Sequence, residues 1–374
     1  MQENNTFGAV HNVIAGGRIM TWAMHASMVR GRRMNEKERL LLALAREEVD
    51  RTPCASPLQT GTVELMEACG SFWPEANRDP RAMARLAQAA HDLAGLESVR
   101  VPFDITVDAT AFGALTGYDG VDRQPAILET AMRDPEAFCD VAVPDPRRDG
   151  RAPVVLEAVR SLASKDGPPV ICGIVAPFML TAQLRGGQVT LMDVVLRPDV
   201  VKAVLEKAME WNVAFAEAVL EAGADVVALI DATASGDILS PKQYAEFALP
   251  YQKIVSGSIH AAGGRSILHI CGDTSRNIAE MAQARFDGVS VDQCMDLASV
   301  KRQTQGRVAV IGNVDPTATL LFRGPQEVFD EAVECIGEGC EVLAPGCGFA
   351  PRTPLVNMRA MVHAAKVTSR PRTS

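Results

Sequence analysis

The sequence predicts a (β/α)8 TIM barrel, an α/β fold in one domain, on three observations. Eight short apolar runs recur from Pro53 to Ala344. Most are separated by stretches of helical period, the alternation that builds a parallel sheet wrapped by helices. No glycine fingerprint for a phosphate follows any run, so the open doubly wound sheet loses its usual signature. Residues 34–370 are expected to form the barrel. Residues 1–33 read as an extension with the composition of a floppy tail, ending in the basic Arg30 to Arg33.

The elements are expected in this order. Asn35 caps a first helix, with Glu36 and Glu38 in its first turn and Leu40 to Leu44 as its apolar face. Pro53 to Pro57 is the first strand, Arg81 to Gly95 an amphipathic helix, and Ser98 to Phe103 the second strand. A long excursion with Gly113, Gly117, Gly120 and Pro144-Asp145-Pro146 follows, then a short helix from Leu156 to Ser164. Pro169 to Val175 is strand three, Asp199 to Ala222 a strong helix, and Ala224 to Asp231 strand four. One helix from Pro241 to Ala262 leads into strand five, Ile267 to Ile270. Gly288 to Asp292, Val308 to Gly312 and Glu341 to Ala344 complete the set.

Composition narrows the function. A net charge of −9, aromatics at 5% and no basic run interleaved with aromatics argue against a nucleic-acid partner. No segment reaches the roughly 18 apolar residues of a membrane span. Nine cysteines without a compact spacing framework, and no secretory signal, suit a reduced cytoplasmic compartment in which most thiols are small core residues.

Two cysteines have telling neighbours. In Leu268-His269-Ile270-Cys271-Gly272-Asp273, His269 and Cys271 are two apart at a strand end and project from the same face. Ala344-Pro345-Gly346-Cys347-Gly348 is a second apolar strand ending in a cysteine. If the two strands end at one rim, His269, Cys271 and Cys347 converge. Two Cys and one His with a position open is the composition of a catalytic zinc. The other polar residues at strand ends are Gln59, Asp104, Asp231, Asp292, Asn313 and Asp315. Asp292 ends the strand after the His269 strand and is the candidate fourth ligand. Cys294 is a weaker competitor, and Asp273 and Asp315 read as turn or capping residues.

These residues resemble the uroporphyrinogen decarboxylase superfamily, and within it the zinc-dependent methylcobalamin:coenzyme M methyltransferases, from about Met34 to Lys366. The resemblance lies in Asn35 to Leu40 with Val49 to Pro53, in Thr60 to Met66, in Gly95 to Phe103, and in Gly223 to Asp231 with Leu239-Ser240-Pro241 and Pro250-Tyr251. The family's His-x-Cys…Cys signature falls on His269, Cys271 and Cys347. Related methyltransferases carry a Glu one strand on, where this chain has Asp292. The decarboxylases differ: they hold substrate carboxylates with arginines after strand one, where this chain reads Ser56-Pro57-Leu58-Gln59-Thr60-Gly61, and they have Gly-His-Gly in place of Gly346-Cys347-Gly348. Asp104 does occupy the place of the decarboxylases' catalytic aspartate.

The resemblance implies zinc-dependent transfer of a methyl group from a methylated corrinoid to a small thiol, coenzyme M first among the acceptors. No Asp-x-His-x-x-Gly motif is present, so the methylcobalamin-like corrinoid is expected on a separate corrinoid protein that docks transiently at the rim. A thiol is mostly protonated at neutral pH, and only the thiolate is a competent nucleophile. Asp231 is the expected carboxylate that orients His269 or accepts the thiol proton, with Asp104 a second catalytic candidate and Gln59 a substrate contact. Arg100, Arg185 and Arg352 are candidates for an anionic group on the acceptor. The alternatives are another acceptor such as tetrahydrofolate, a metal-free decarboxylation, or a noncatalytic partner with a structural zinc.

Overall fold

The computed structural model describes residues 33–368, apart from 119, 133, 135–137, 139 and 140, together with a small antiparallel hairpin pairing Val13–Ala15 with Arg18–Met20. Of the expected 1–33 extension, the rest of residues 1–32 lies outside the described residues.

Seven parallel strands form one sheet: β1 (Val99–Val101), β2 (Val170–Val175), β3 (Val226–Ile230), β4 (Arg265–Ile270), β5 (Gly288–Val291), β6 (Ala309–Val314) and β7 (Val342–Pro345). They lie side by side in chain order. The first expected strand is reduced to a single parallel bridge between Cys54 and Leu343. Pro53 and Pro57 bring no N–H to a ladder, and the N–H of Cys54 is taken by the Glu97 carboxylate at 3.0 Å. This stave still closes the ring. Ala55 N donates to Leu343 O at 3.1 Å on one side, and Glu97 N donates to Cys54 O at 2.8 Å on the other. The barrel expectation therefore holds, with β4 as the fifth of the expected strands.

Side-chain parity sorts the core into two layers. Ala55, Ile171, Val226, Ala228, Ile267, Ala309, Ile311, Val342 and Ala344 fill the barrel interior. Leu40, Ala43 and Leu44 of the helix Glu36–Leu44 join them, so this helix plugs one end. Asn35 caps it, its Oδ1 accepting from Glu38 N at 2.8 Å. The larger cluster lies between the strands and the outer helices and includes Trp211, Phe215 and Leu205 of the helix Pro198–Glu221.

Two expectations need correcting. The helix expected from Pro241 to Ala262 is two, Pro241–Phe247 and Leu249–Ala261, because Pro250 cannot continue the first and sits in the opening turn of the second. The helix expected from Leu156 begins earlier, at Ala152, with Pro153 in its first turn. Among the described residues no helix is long and apolar enough to cross a membrane.

Candidate metal centre

The strands β4 and β7 deliver their last side chains to one rim. His269 pairs in register with Ile230 of β3 and Ser290 of β5, so its imidazole stands on the inward face. One step beyond the strand, Cys271 follows on the same face. Cys347 sits just past β7, between two glycines that the packing requires. A Cβ on Gly346 would lie 2.4 Å from Gln293 N, and one on Gly348 would lie 2.9 Å from Gln59 Cγ. The Cys347 loop therefore presses on the turns after the first stave and after β5, and only glycine permits that approach.

The three predicted ligands meet. One ligand atom each from His269, Cys271 and Cys347 lies within 4.8 Å of the others. His269 Nε2 is 2.9 Å from Cys271 Sγ, and the two sulfurs are 3.5 Å apart. The imidazole is fully buried, while both cysteines are partly exposed. Two soft sulfurs and an imidazole around one point fit zinc. No fourth His, Cys, Asp or Glu joins the group among the described residues.

The two sulfurs differ in how firmly each holds a proton. The hydrogen bond from Cys271 holds the Cys347 thiol well below its usual range, and His269 adds to this. Cys271 is pushed up, first by its hydrogen bond to Cys347 and then by burial. The lowered member of the pair, Cys347, is the one that ionises more readily, and a metal ligand has to be a thiolate.

The supporting polar groups differ from those expected. The second nitrogen of His269, Nδ1, is 3.0 Å from Ser290 Oγ, so the orienting contact is a serine hydroxyl. No signature marks Ser290; the one signal available is its parity, which puts it on the inward face of β5 with Asp292. Asp292 stands outside the three-ligand group. Its Oδ2 accepts from Gly272 N at 2.9 Å and its Oδ1 from Cys294 N at 3.1 Å, which ties the Cys271 turn to the turn after β5. Asn313 backs this turn, donating to Asp292 O at 2.9 Å and Met295 O at 2.8 Å. Cys294 is exposed, and its thiol rises to about 11 through burial of its sulfur and the neighbouring Asp292 carboxylate. Asp273 and Asp315 cap local turns, accepting from Ser275 N and from Thr317 N and Ala318 N.

Asp231 is fully buried but follows Ile230, whose side chain faces inward, and its own carboxylate points to the helix layer. It accepts from Met179 N at 2.9 Å and from Gln252 Nε2 at 2.8 Å, and Gln252 in turn accepts from Tyr244 at 2.6 Å. Burial raises its pKa to about 7 against those two donors. Its link to the ligand strand is through the backbone, Asp231 N to His269 O at 2.9 Å. Asp104 makes a two-pronged ion pair with Arg151, at 2.8 and 2.9 Å, and accepts from Thr106 N and Oγ1. Burial works against its charge, but the Arg151 bonds outweigh it and the pKa is lowered. Gln59 lies beside the centre, its amide donating to Phe349 O and its backbone carbonyl accepting from Phe349 N at 3.1 Å. Its Oε1 is buried and has no partner among the described residues.

Comparisons with known proteins agree with this architecture. The family model "Uroporphyrinogen decarboxylase (URO-D)" matches residues 35–367. The methylcobamide:CoM methyltransferase MtbA of Methanosarcina acetivorans is 37% identical over 335 residues, covering 88% of this chain and 97% of that protein. The methylcobamide:CoM methyltransferase MtaA of Methanosarcina barkeri is 38% identical over 332 residues, covering 88% and 96%. A solved methyltransferase from Methanosarcina mazei superposes with a TM-score of 0.85 at 36% identity, covering 89% of this chain and 99% of that one. A barrel closed by a Cys54 stave, with its chemistry-bearing side chains gathered where β4 and β7 end, thus has full-length relatives, and the chain belongs to the uroporphyrinogen decarboxylase family.

Proposed function

We propose that this protein transfers a methyl group from a methylated corrinoid, presented by a separate corrinoid protein, to a small thiol, with coenzyme M the acceptor tested first. The observation that carries the reading is the meeting of His269, Cys271 and Cys347 within 4.8 Å at the barrel mouth. Full-length similarity to methylcobamide:CoM methyltransferases supports it.

Zinc is the ion we assign to these residues; when bound it supplies a Lewis acid that lowers the pKa of an acceptor thiol. The rest is done by the chain. Cys347 and Cys271 contribute negative charge, which keeps an incoming sulfur electron-rich. Ser290 holds the His269 ring so that Nε2 faces the two sulfurs. Asp292 fixes the turn that carries Cys271. Zinc held by these three residues would leave a position for the acceptor as its thiolate, the thiol proton passing to solvent, and that sulfur attacks the methyl carbon. The sulfur–carbon bond forms as the cobalt–carbon bond breaks, and the bonding pair stays on cobalt. We assign Asp231 to positioning: it locks the ends of β3 and β4 through its backbone bond to His269. Gln59 lines the acceptor's path.

Decarboxylation is the weaker reading. Asp104 is saturated by Arg151 and Thr106, and Gln59 stands where several carboxylates need cations. A structural zinc is disfavoured because three protein ligands leave a position open.

The test is zinc quantitation on wild type and Cys347→Ala, with demethylation of methylcobalamin followed by absorbance across a thiol panel. Wild type is expected to hold one zinc per chain and turn over; the variant is expected to lose both. A variant with normal zinc and turnover sinks the proposal.

A further inference from the structure

Arg100 is the odd cation of this barrel. It lies on β1 in register with Ile171, an interior residue, and is 1% exposed. Its guanidinium runs across the inside of β2: a Cβ on Gly173 would lie 2.0 Å from Arg100 Nη2. Glycine at 173 is therefore the notch in which the guanidinium lies. The buried Arg39 is paired with Asp50 and Glu97, and the partly buried Arg151 with Asp104. Arg100 forms no ion pair among the described residues. Among the described residues its one hydrogen bond is Nε to Pro57 O at 3.2 Å, and Nη1 is buried without a partner there. A buried unpaired charge is costly, and a bound anion would offset that cost. Burial indeed pulls this guanidinium down to about 10.

Its position ties it to the metal centre. Pro57, which accepts from Arg100, belongs to the same turn as Gln59, and Gln59 packs against Gly348 beside Cys347. The turn after the first stave thus touches both the guanidinium and the cysteine loop. The other two candidate arginines are engaged elsewhere: Arg185 pairs with Asp193 at 3.1 Å, and the exposed Arg352 with Asp122 at 2.7 Å.

We infer that Arg100, seated in the Gly173 notch, binds an anionic group at the far end of the acceptor thiol and so selects sulfonate- or carboxylate-bearing thiols over neutral ones. This rests on the methyl-transfer reading for the thiol end, but the anion site stands on its own geometry. An oxyanion at this place gives Nη1 the acceptor it lacks and neutralises the buried charge.

Two measurements test it. In the first, methylcobalamin demethylation is followed with 2-mercaptoethanesulfonate, 3-mercaptopropionate and neutral 2-mercaptoethanol, using wild type, Arg100→Met and Gly173→Ala. Wild type is expected to favour the anionic thiols, and each variant to shrink that preference about tenfold to a hundredfold, mainly through KM. Arg100→Met is expected to melt no lower than wild type, because it removes an unpaired buried charge. In the second, binding of ethanesulfonate, which has no thiol, is measured by calorimetry and is expected in wild type and lost in both variants. An Arg100→Met protein that folds and keeps the wild-type preference overturns the inference, as does a wild type that fails to bind ethanesulfonate. A wild type that methylates no thiol but binds ethanesulfonate through Arg100 removes the methyl-transfer reading and leaves the anion site in place.

Discussion

His269 Nδ1 lies 3.0 Å from Ser290 Oγ, across the β4–β5 register, while Nε2 faces the sulfurs of Cys271 and Cys347. The hydroxyl fixes which ring nitrogen is free to ligate. Ser290→Ala is expected to weaken zinc about tenfold to a hundredfold, the usual effect of losing such an outer contact, while the fold persists. Competition with a chromophoric chelator measures it. Unchanged affinity would show that β4 packing alone orients the ring.

The Cys347 loop depends on the backbone approach at Gly346. Gly346→Ala puts a Cβ 2.4 Å from Gln293 N, a contact between backbone segments that no rotamer relieves. Zinc content is expected to fall in this variant although all three ligands remain. Stability is expected to drop by about 1–3 kcal/mol, as for other overpacked sites. Full zinc occupancy with an unchanged melting temperature would contradict this.

Glu97 holds the closing stave. Fully buried, it accepts from Arg39 at 2.7 Å, from Arg51 at 2.6 Å and from Cys54 N at 3.0 Å. Glu97→Ala leaves Arg39 and the Cys54 amide buried without this acceptor. A loss of about 3–5 kcal/mol is expected in denaturant unfolding, the scale for breaking a buried ion pair from one side. The residue touches no ligand of the metal centre, so what zinc-binding capacity remains should track the folded fraction.

His91 gives a pH signature in stability. Its Nε2 is 2.8 Å from Glu36 and its Nδ1 2.8 Å from Asp92, and these bonds, Glu36 first, raise its pKa from 6.5 to about 9. The folded pKa exceeds the unfolded one, so this contribution is complete below about pH 6.5 and fades as pH rises through 9. The group is partly exposed, so the effect is discounted to about 1 kcal/mol. Unfolding of wild type and His91→Gln from pH 6 to 10 should show curves that converge at the alkaline end. A constant gap would remove the assignment.

What could be read from residue order alone was whatever repeats or lies close in the chain. The recurrence of apolar runs gave the barrel, because burial on both faces demands it. Strand parity placed His269 beside Cys271, and the apolar run before Cys347 put it at a second strand end. Its place at the end of the next strand put Asp292 nearby, but not what its oxygens meet; two amides from neighbouring turns claim them, and amides leave no trace in side-chain composition. The same blindness hid Ser290 behind the carboxylates, turned Asp231 toward Gln252 in the helix layer, and reduced the Pro53 to Pro57 strand to one bridge. It left Arg100, Arg185 and Arg352 equal. Only the folded chain separates them, because a charge declares itself by its partners, and carboxylates 8 or 230 residues away for Arg185 and Arg352, or no carboxylate among the described residues for Arg100, are set by how the barrel closes.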